Sequence, residues 1–450
     1  MSDFDETLYS VNSSLVLCHY RNHGIIIQNK TEETFPIMKG IFQQTDILLP
    51  QESVDMERWA VIACDQFTSD LDFWARVRER VGGRPSTLHM ILPEAWLGEV
   101  DEALYSKQIN ETMAQYLGEG VFREIPASFI YVERKLQGGK LRRGIVGAVD
   151  LEQYATGVSA SSILRESERI IASRLPARRQ IRQEALLEMP HVLLLIDDPS
   201  CSIVEPLGAR TDLECLYDFP LMEDCGHLTG YRITGVLADE LAEAIAALPI
   251  ILVGDGNHSL VAAKMEWDVI KGNLSDAEQE RHPARYALVE LGNVYDESLE
   301  IEPIHRIVFD TEGDLIGAFV KSSPYVALGE GEGHQIRFLD KGKAGTLTIS
   351  GLTVGEAIDL LQEFLDQYVQ THGGEIDYIH GDAELTELAS KEGSIAFFMP
   401  TIAKSALFTS VLQGGVFPKK SFSMGDGADK RHYVECRKIK ERGTMHGRVN

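Results

Sequence analysis

Cationic charge is what this sequence has least of. Its 450 residues carry 43 Lys and Arg against 69 Asp and Glu, a formal net charge of −26 at pH 7. Nonspecific binding to DNA, RNA or anionic lipid is driven by Lys and Arg meeting phosphate, so this balance argues against nucleic acid and membrane as partners. Cysteine is scarce as well. The six residues Cys18, Cys64, Cys201, Cys215, Cys225 and Cys436 are scattered and form no C-x-x-C pair, so neither a zinc site nor a disulfide framework is indicated and a reducing cytoplasm is the expected setting. Long apolar runs are missing too: 192–196 is typical, against the ~20 residues of a membrane helix. The first residues are acidic with no apolar core behind them, which does not read as a signal peptide, and no repeat or low-complexity tract is evident.

What is present can bury a large core, and at ~150 residues per domain the length allows two to three domains. One stretch stands out, 250–272, reading IILVGDGNHSLVAAKMEWDVIKG. Ile250 to Val253 predicts a short buried strand, and Gly254 and Gly256 free the backbone for a tight turn. A helix follows, with Leu260, Ala263, Trp267 and Ile270 at helical spacing, Asp255 or Asn257 as cap and Gly272 as stop. A strand passing through such a turn into a helix aims free N–H groups and the positive end of a helix dipole at one spot, which suits a phosphate. The turn also holds Asp255, His258 and Ser259. A carboxylate beside a phosphate repels it unless a divalent cation bridges the two or the carboxylate takes a proton, and His258 could donate to a phosphate oxygen or shuttle a proton. The alternative stays open at this point: Asp255 and Asn257 as caps, the glycines as turn formers, His258 satisfied locally.

Along the rest of the chain, residues 1–37 lack a clear period and are expected to be a poorly ordered extension, with Met38 as the natural start, although 24–28 (GIIIQ) has the apolar density of a short element. Trp59 to Ala63 predicts a strand leading to Cys64 and Asp65, then a helix capped by Ser69 and running through Arg80. Cys64 reads most simply as a small buried hydrophobe, and Asp65 and Gln66 as better ligand contacts. Ser128 to Leu136 and Leu141 to Val149 flank Gly138 and Gly139 as a hairpin. From Arg165 to Arg182 six arginines face two glutamates, either a solvated helix face or a source of phosphate ligands. His191 to Asp198 predicts a strand ending in an Asp-Asp-Pro turn. His305 and Arg306 lie amid apolar residues, either a polar group pointed into a cleft or a structural salt bridge. Beyond 310 come a hairpin (335–350), a long amphipathic helix (354–371), strands at 377–380 and 396–399, a helix opened by Asp382, a helix at 404–411, and a loop carrying Lys419 and Lys420. The fold class this predicts is α+β: a mixed sheet with helices in a core domain at 38–310, then a C-terminal α/β subdomain at 311–450.

Several segments resemble one family. GDGNHSLVAAK is similar to the DGHHR-type box of the domain-of-unknown-function 1015 family of bacteria and archaea, and WAVIACDQFTS, RLPARRQIRQEALLEMPHVLLLIDDP, HLTGY, IEPIHRIVFD and VFPKKSFSMG match further family segments in family order, over about 38–439. The box is more distantly similar to that of the ParB/sulfiredoxin superfamily, where a strand, a turn and a helix bind nucleotide phosphates, and which includes kinases of free serine. Two positions depart from the box: Asn257 replaces its first His and Ser259 its Arg, which removes a bidentate phosphate donor. Arg178 and Arg182 are the first candidates to supply that guanidinium.

The resemblance implies an enzyme acting on a small-molecule substrate, a phosphotransferase or phosphohydrolase, with magnesium and ATP or ADP as cofactors. Asp255, His258 and Glu166, which stands where the family has its acid, are then the catalytic candidates. Gly254, Gly256, Asn257, Ser259, Arg178, Arg182, His305, Arg306 and Lys419 are the phosphate-binding ones; no protein metal ligand is assigned beyond a carboxylate in that role. A noncatalytic module sensing a phosphorylated metabolite or nucleotide is the alternative, a thiol hydrolase using Cys64 with His258 or His305 a third, and a homo-oligomer is compatible with each.

Overall fold

The computed structural model describes residues 10–11, 15–16, 40–156, 162–170, 175–340, 342–391, 393–425 and 427–440. The chain divides into two compact units, Met1–Lys39 and Gly40–Asn450. In the first, strands Ser10–Val11 and Leu15–Val16 pair antiparallel; the rest of the expected extension, with 24–28, lies outside the described residues.

The second unit is α+β, with two large sheets. The larger runs Glu214–Pro220, His227–Ile233, Phe122–Lys135, Leu141–Asp150, Tyr286–Asn293, Leu193–Ile196, Ile251–Asp255, Leu164–Glu166, Tyr154–Ala155, with Phe42–Gln43 and Thr45–Pro50 added off this path. Its pairing is mixed: Ile251–Asp255 lies antiparallel to Leu193–Ile196 and parallel to Leu164–Glu166. The expected hairpin forms from the two long strands at Phe122–Lys135 and Leu141–Asp150, turning where Gly139 takes a positive φ of 81°.

The box strand is buried on both faces, as a central strand with apolar residues in sequence should be. Ile251 and Val253 join the core that contains Leu260 and Trp267 of the following helix Asn257–Lys271, while Ile250 and Leu252 join the opposite core with Phe397 and Leu361. Burial of a side chain as large as Trp267 is worth about 1.5–3 kcal/mol, and this one also donates its indole N–H to Glu152. Helix Leu175–Glu184 packs on the box helix.

The smaller sheet runs Val326–Leu328, Lys343–Ile349, His334–Asp340, Ile395–Phe398, Ile301–Phe309, Glu375–His380, all antiparallel. It begins at Ile301. Helix Val354–His372 lays Ile358, Leu361 and Leu365 on it and opens with a Thr353/Glu356 capping box. The chain then returns: His432–Tyr433 pairs with Val61–Ile62, and Arg437–Lys438 with Leu187–Glu188.

Local expectations shift in four places. Trp59 ends a short helix, Met56–Trp59, so the strand after it shrinks to Val61–Ile62. Asp70 rather than Ser69 caps helix Leu71–Val81, accepting from the Phe73 N–H at 2.8 Å. Asp382 is the first residue of its helix, after the cap Gly381. The arginine run is no single helix face, because Arg165 sits in strand Leu164–Glu166 and Arg178, Arg179 and Arg182 in helix Leu175–Glu184; Arg174 lies outside the described residues.

Candidate functional site

Strand Ile251–Asp255 is followed by a residue that has no room for a side chain. Gly256 has φ 78°, and a Cβ there would come 2.9 Å from the Val192 backbone and 3.3 Å from the His191 ring. The turn can thus press against the residues leading into Leu193–Ile196. Gly256 is itself the helix cap, with no side-chain cap, which corrects the expectation of Asn257 or Asp255. Asp255 instead folds back, its Oδ1 accepting the Gly256 N–H at 2.8 Å and its Oδ2 meeting Lys430 Nζ at 3.0 Å. The Ser259 N–H is bonded to the Gly256 carbonyl at 3.0 Å. An all-amide phosphate cradle over 254–259 is therefore incomplete, because two of its donors are used inside the protein. The Oδ1 of Asn257 is buried with no partner among the described residues.

The helix side of the turn faces a cleft of about 160 Å³ with apolar walls such as Met90, Leu92, Met113 and Leu260. Its polar end is a network assembled from six segments. Arg178 donates through NH1 to Ser259 Oγ and through NH2 to Glu94 Oε1 at 2.6 Å, and stands 3.7 Å from Asp65 Oδ2. Ser259 Oγ is 3.1 Å from His191 Nε2, and His191 Nδ1 is 2.7 Å from Tyr433 Oη. Tyr433 in turn donates to Cys64 Sγ at 3.2 Å.

Burial pushes His191 below its ordinary value, so the imidazole is neutral at pH 7. A proton order consistent with that runs Ser259 O–H to Nε2, Nδ1–H to Tyr433 Oη, and Tyr433 O–H to Cys64, assigned from the network. Burial acts to raise Asp65, but His191, protonated in the acid range where Asp65 titrates, and the Arg178 guanidinium outweigh it and hold the carboxyl well below the usual range. Burial also pushes the Cys64 thiol up to about 11, which speaks against a thiolate nucleophile.

The structure brings Ser259, Arg178 and Arg182 to one cleft with Cys64, Glu94, His191 and Tyr433, although Arg182 is spent on Glu188 at 2.8 Å. Glu166 sits in the adjacent strand, buried, accepting from Tyr154 at 3.2 Å, and does not line the cleft. His258 is half-buried with interactions of its own and does not line it either. His305 and Arg306 lie in the smaller sheet, engaged by Asp382, Met399 and Gln362, and Lys419 is exposed on its loop. Sequence reasoning missed Glu94, Tyr433, Lys430 and the role of His191. Only His191 carried a signal, a polar residue at the mouth of an apolar strand; the others owe their place to contacts between distant segments. Among the described residues no group of three or more His, Cys, Asp or Glu is placed to hold a metal ion, and no helix is long and apolar enough to cross a membrane.

A family model described as "Protein of unknown function (DUF1015)" matches residues 47–368. No curated protein matches the sequence. Among solved structures, the chain is similar to a free serine kinase in complex with AMP (TM-score 0.38, 10% identity, covering 65% of this chain and 91% of that one). It is also similar to a C-terminally truncated SbnI from Staphylococcus aureus (0.35, 9%, 62% and 82%), and to a conserved hypothetical protein from Pyrococcus furiosus (0.35, 12%, 65% and 94%).

Proposed function

This chain belongs to the DUF1015 family, and we propose that it is a small-molecule enzyme that binds a nucleotide or phosphate ester in the cleft beside the box and transfers or hydrolyses a phosphoryl group. The observation that carries this reading is the seat of Arg178: its guanidinium lies on the Ser259 hydroxyl, at the first turn of the box helix and at the polar end of an apolar cleft. An apolar pocket with a few convergent polar groups is the usual form of a ligand site. In this reading the apolar walls take the base or organic part, and Arg178 takes over the phosphate-fork role that Ser259 cannot perform. The Ser259 hydroxyl, held by a neutral imidazole, is the group best placed to move a proton, with His191 as its base. Asp255 stands 3.0 Å from Lys430 and Glu94 is bonded to Arg178, so magnesium, where needed, would arrive on the nucleotide's phosphates.

Calorimetric titration of ATP, ADP and AMP, with and without magnesium, tests the binding, and phosphorus NMR of the mixture tests turnover. Saturable binding that Arg178→Ala weakens by at least ~10-fold is expected; no binding of any of the three ends the proposal. One observation favours the sensing alternative, namely that Glu94 and Asp65 already face Arg178 and that two box amides are bonded internally. Binding without turnover, unchanged by Asp255→Asn, selects that reading.

A further inference from the structure

On the other side of the box turn lies a smaller cavity of about 30 Å³, walled by Arg134, Arg142, Asp255, Glu290, Lys430 and Arg431. Its two acids are engaged: Asp255 holds Lys430 at 3.0 Å, and Glu290 holds Arg431. Among the described residues no carboxylate stands within ion-pair distance of Arg134 or Arg142, which are 4% and 7% exposed. Arg134 spends its NH1 and NH2 groups on carbonyls, those of Ala428 at 2.6 Å, Asp429 at 3.0 Å, Cys225 at 3.4 Å and Lys430. Arg142 gives one N–H to the Asp429 carbonyl at 2.6 Å, while its Nε and NH2 are buried without a partner among the described residues. Asp429, Asp296 and Asp255 act on Arg142 only from beyond contact distance, and a guanidinium withdrawn from water with no contact ion pair and without a full set of acceptors is costly. The unused pair, Nε and NH2, forms one edge of the guanidinium, the fork that matches two oxygens of a phosphate or carboxylate. The neighbouring loop leaves the space clear: Gly425 has φ 69°, and a Cβ there would come 3.2 Å from Arg142 NH2. The 30 Å³ is room for the centres of water-sized groups, enough in compact form for the oxygens of one tetrahedral oxyanion and too little for a base.

We propose that this cavity is a second binding site, for a phosphate-sized oxyanion, held in the fork of Arg142. It sits against Asp255, while the cleft sits against Ser259, and His191 lines both. The two sites can fail separately. Inorganic phosphate titrated into the full chain should bind at one saturable site, and Arg142→Met should weaken it by at least ~10-fold through loss of the charged fork, whereas Arg178→Ala should leave it in place. Binding of inorganic phosphate alone marks a free-ion site, and equal binding of methyl phosphate marks the phosphoryl end of an ester; binding of neither overturns the assignment. Should Arg142→Met fail to fold, Gly425→Ala keeps the arginine and places a methyl beside its NH2. Phosphate affinity undiminished in that variant overturns the proposal as well.

Discussion

Two histidine–arginine pairs divide this protein into a part that holds and a part that is open. His305 and Arg306 are neighbours in sequence and share one strand. His305 accepts the Met399 N–H at 3.0 Å and meets Asp382 at 2.9 Å, and Arg306, fully buried, bonds to Gln362 and the Ile304 carbonyl beside the Tyr378 ring. His191 and Arg178 come from a loop and a helix, and share the Ser259 hydroxyl in an open cleft. A pair adjacent in sequence alternates across a strand, so at most one partner can face a given surface. A pair made by tertiary contact can converge on one point.

The comparison can be broken most sharply by His305→Ala. It should cost about 3 kcal/mol of stability, from the cavity and from the orphaned Met399 N–H, with ligand binding unchanged; denaturant unfolding beside calorimetry measures both. Arg178→Ala should do the reverse. Nucleotide affinity should fall by ~1.5–3 kcal/mol, roughly 10- to 150-fold, because a charged hydrogen bond is lost. An equal loss of affinity in both variants would erase the distinction.

A subtler contrast is in pH. Burial depresses His191 and His305, so below about pH 6.5 the unfolded chain binds the extra protons and stability falls with acidification. Glu168 has the opposite sign. Burial pushes it up from 4.5 to about 7, against the Ser421 and Phe422 N–H groups and the charges of Lys420 and Arg306. Its folded form keeps a proton that the unfolded chain has released, so its contribution is present below about pH 4.5 and is lost as pH rises towards 7. Glu168→Gln keeps an oxygen for both amides, and melting curves between about pH 5 and pH 8 should show the variant gaining on the parent as pH rises; parallel curves would refute this. The smallest effect expected is at Cys64. Its raised thiol should resist iodoacetamide at neutral pH, as peptide mapping by mass spectrometry can check, and rapid labelling would reopen the thiol chemistry.

Periodicity carried the box well: the strand and helix read from 250–272 match Ile251–Asp255 and Asn257–Lys271 to within a residue or two, and the Gly138–Gly139 hairpin forms as read, although its first strand starts at Phe122 and not Ser128. What it could not carry was the cap, because Asp255 has two partners to choose from and one of them, Lys430, is supplied by a distant loop. The site behaves the same way. Arg178 was a candidate through an absent guanidinium at Ser259, whereas Tyr433 and Glu94 sit in unremarkable local sequence and acquire their place only when their segments meet.

The late return of the chain has a consequence for synthesis. Lys430 and Tyr433 arrive on a segment that pairs back to Val61–Ile62, so a nascent chain that has already made the box must wait for its far end to emerge before either wall is finished. Until then Asp255 lacks Lys430 and His191 lacks Tyr433, so a chain that stops short of residue 430 has an unfinished pocket.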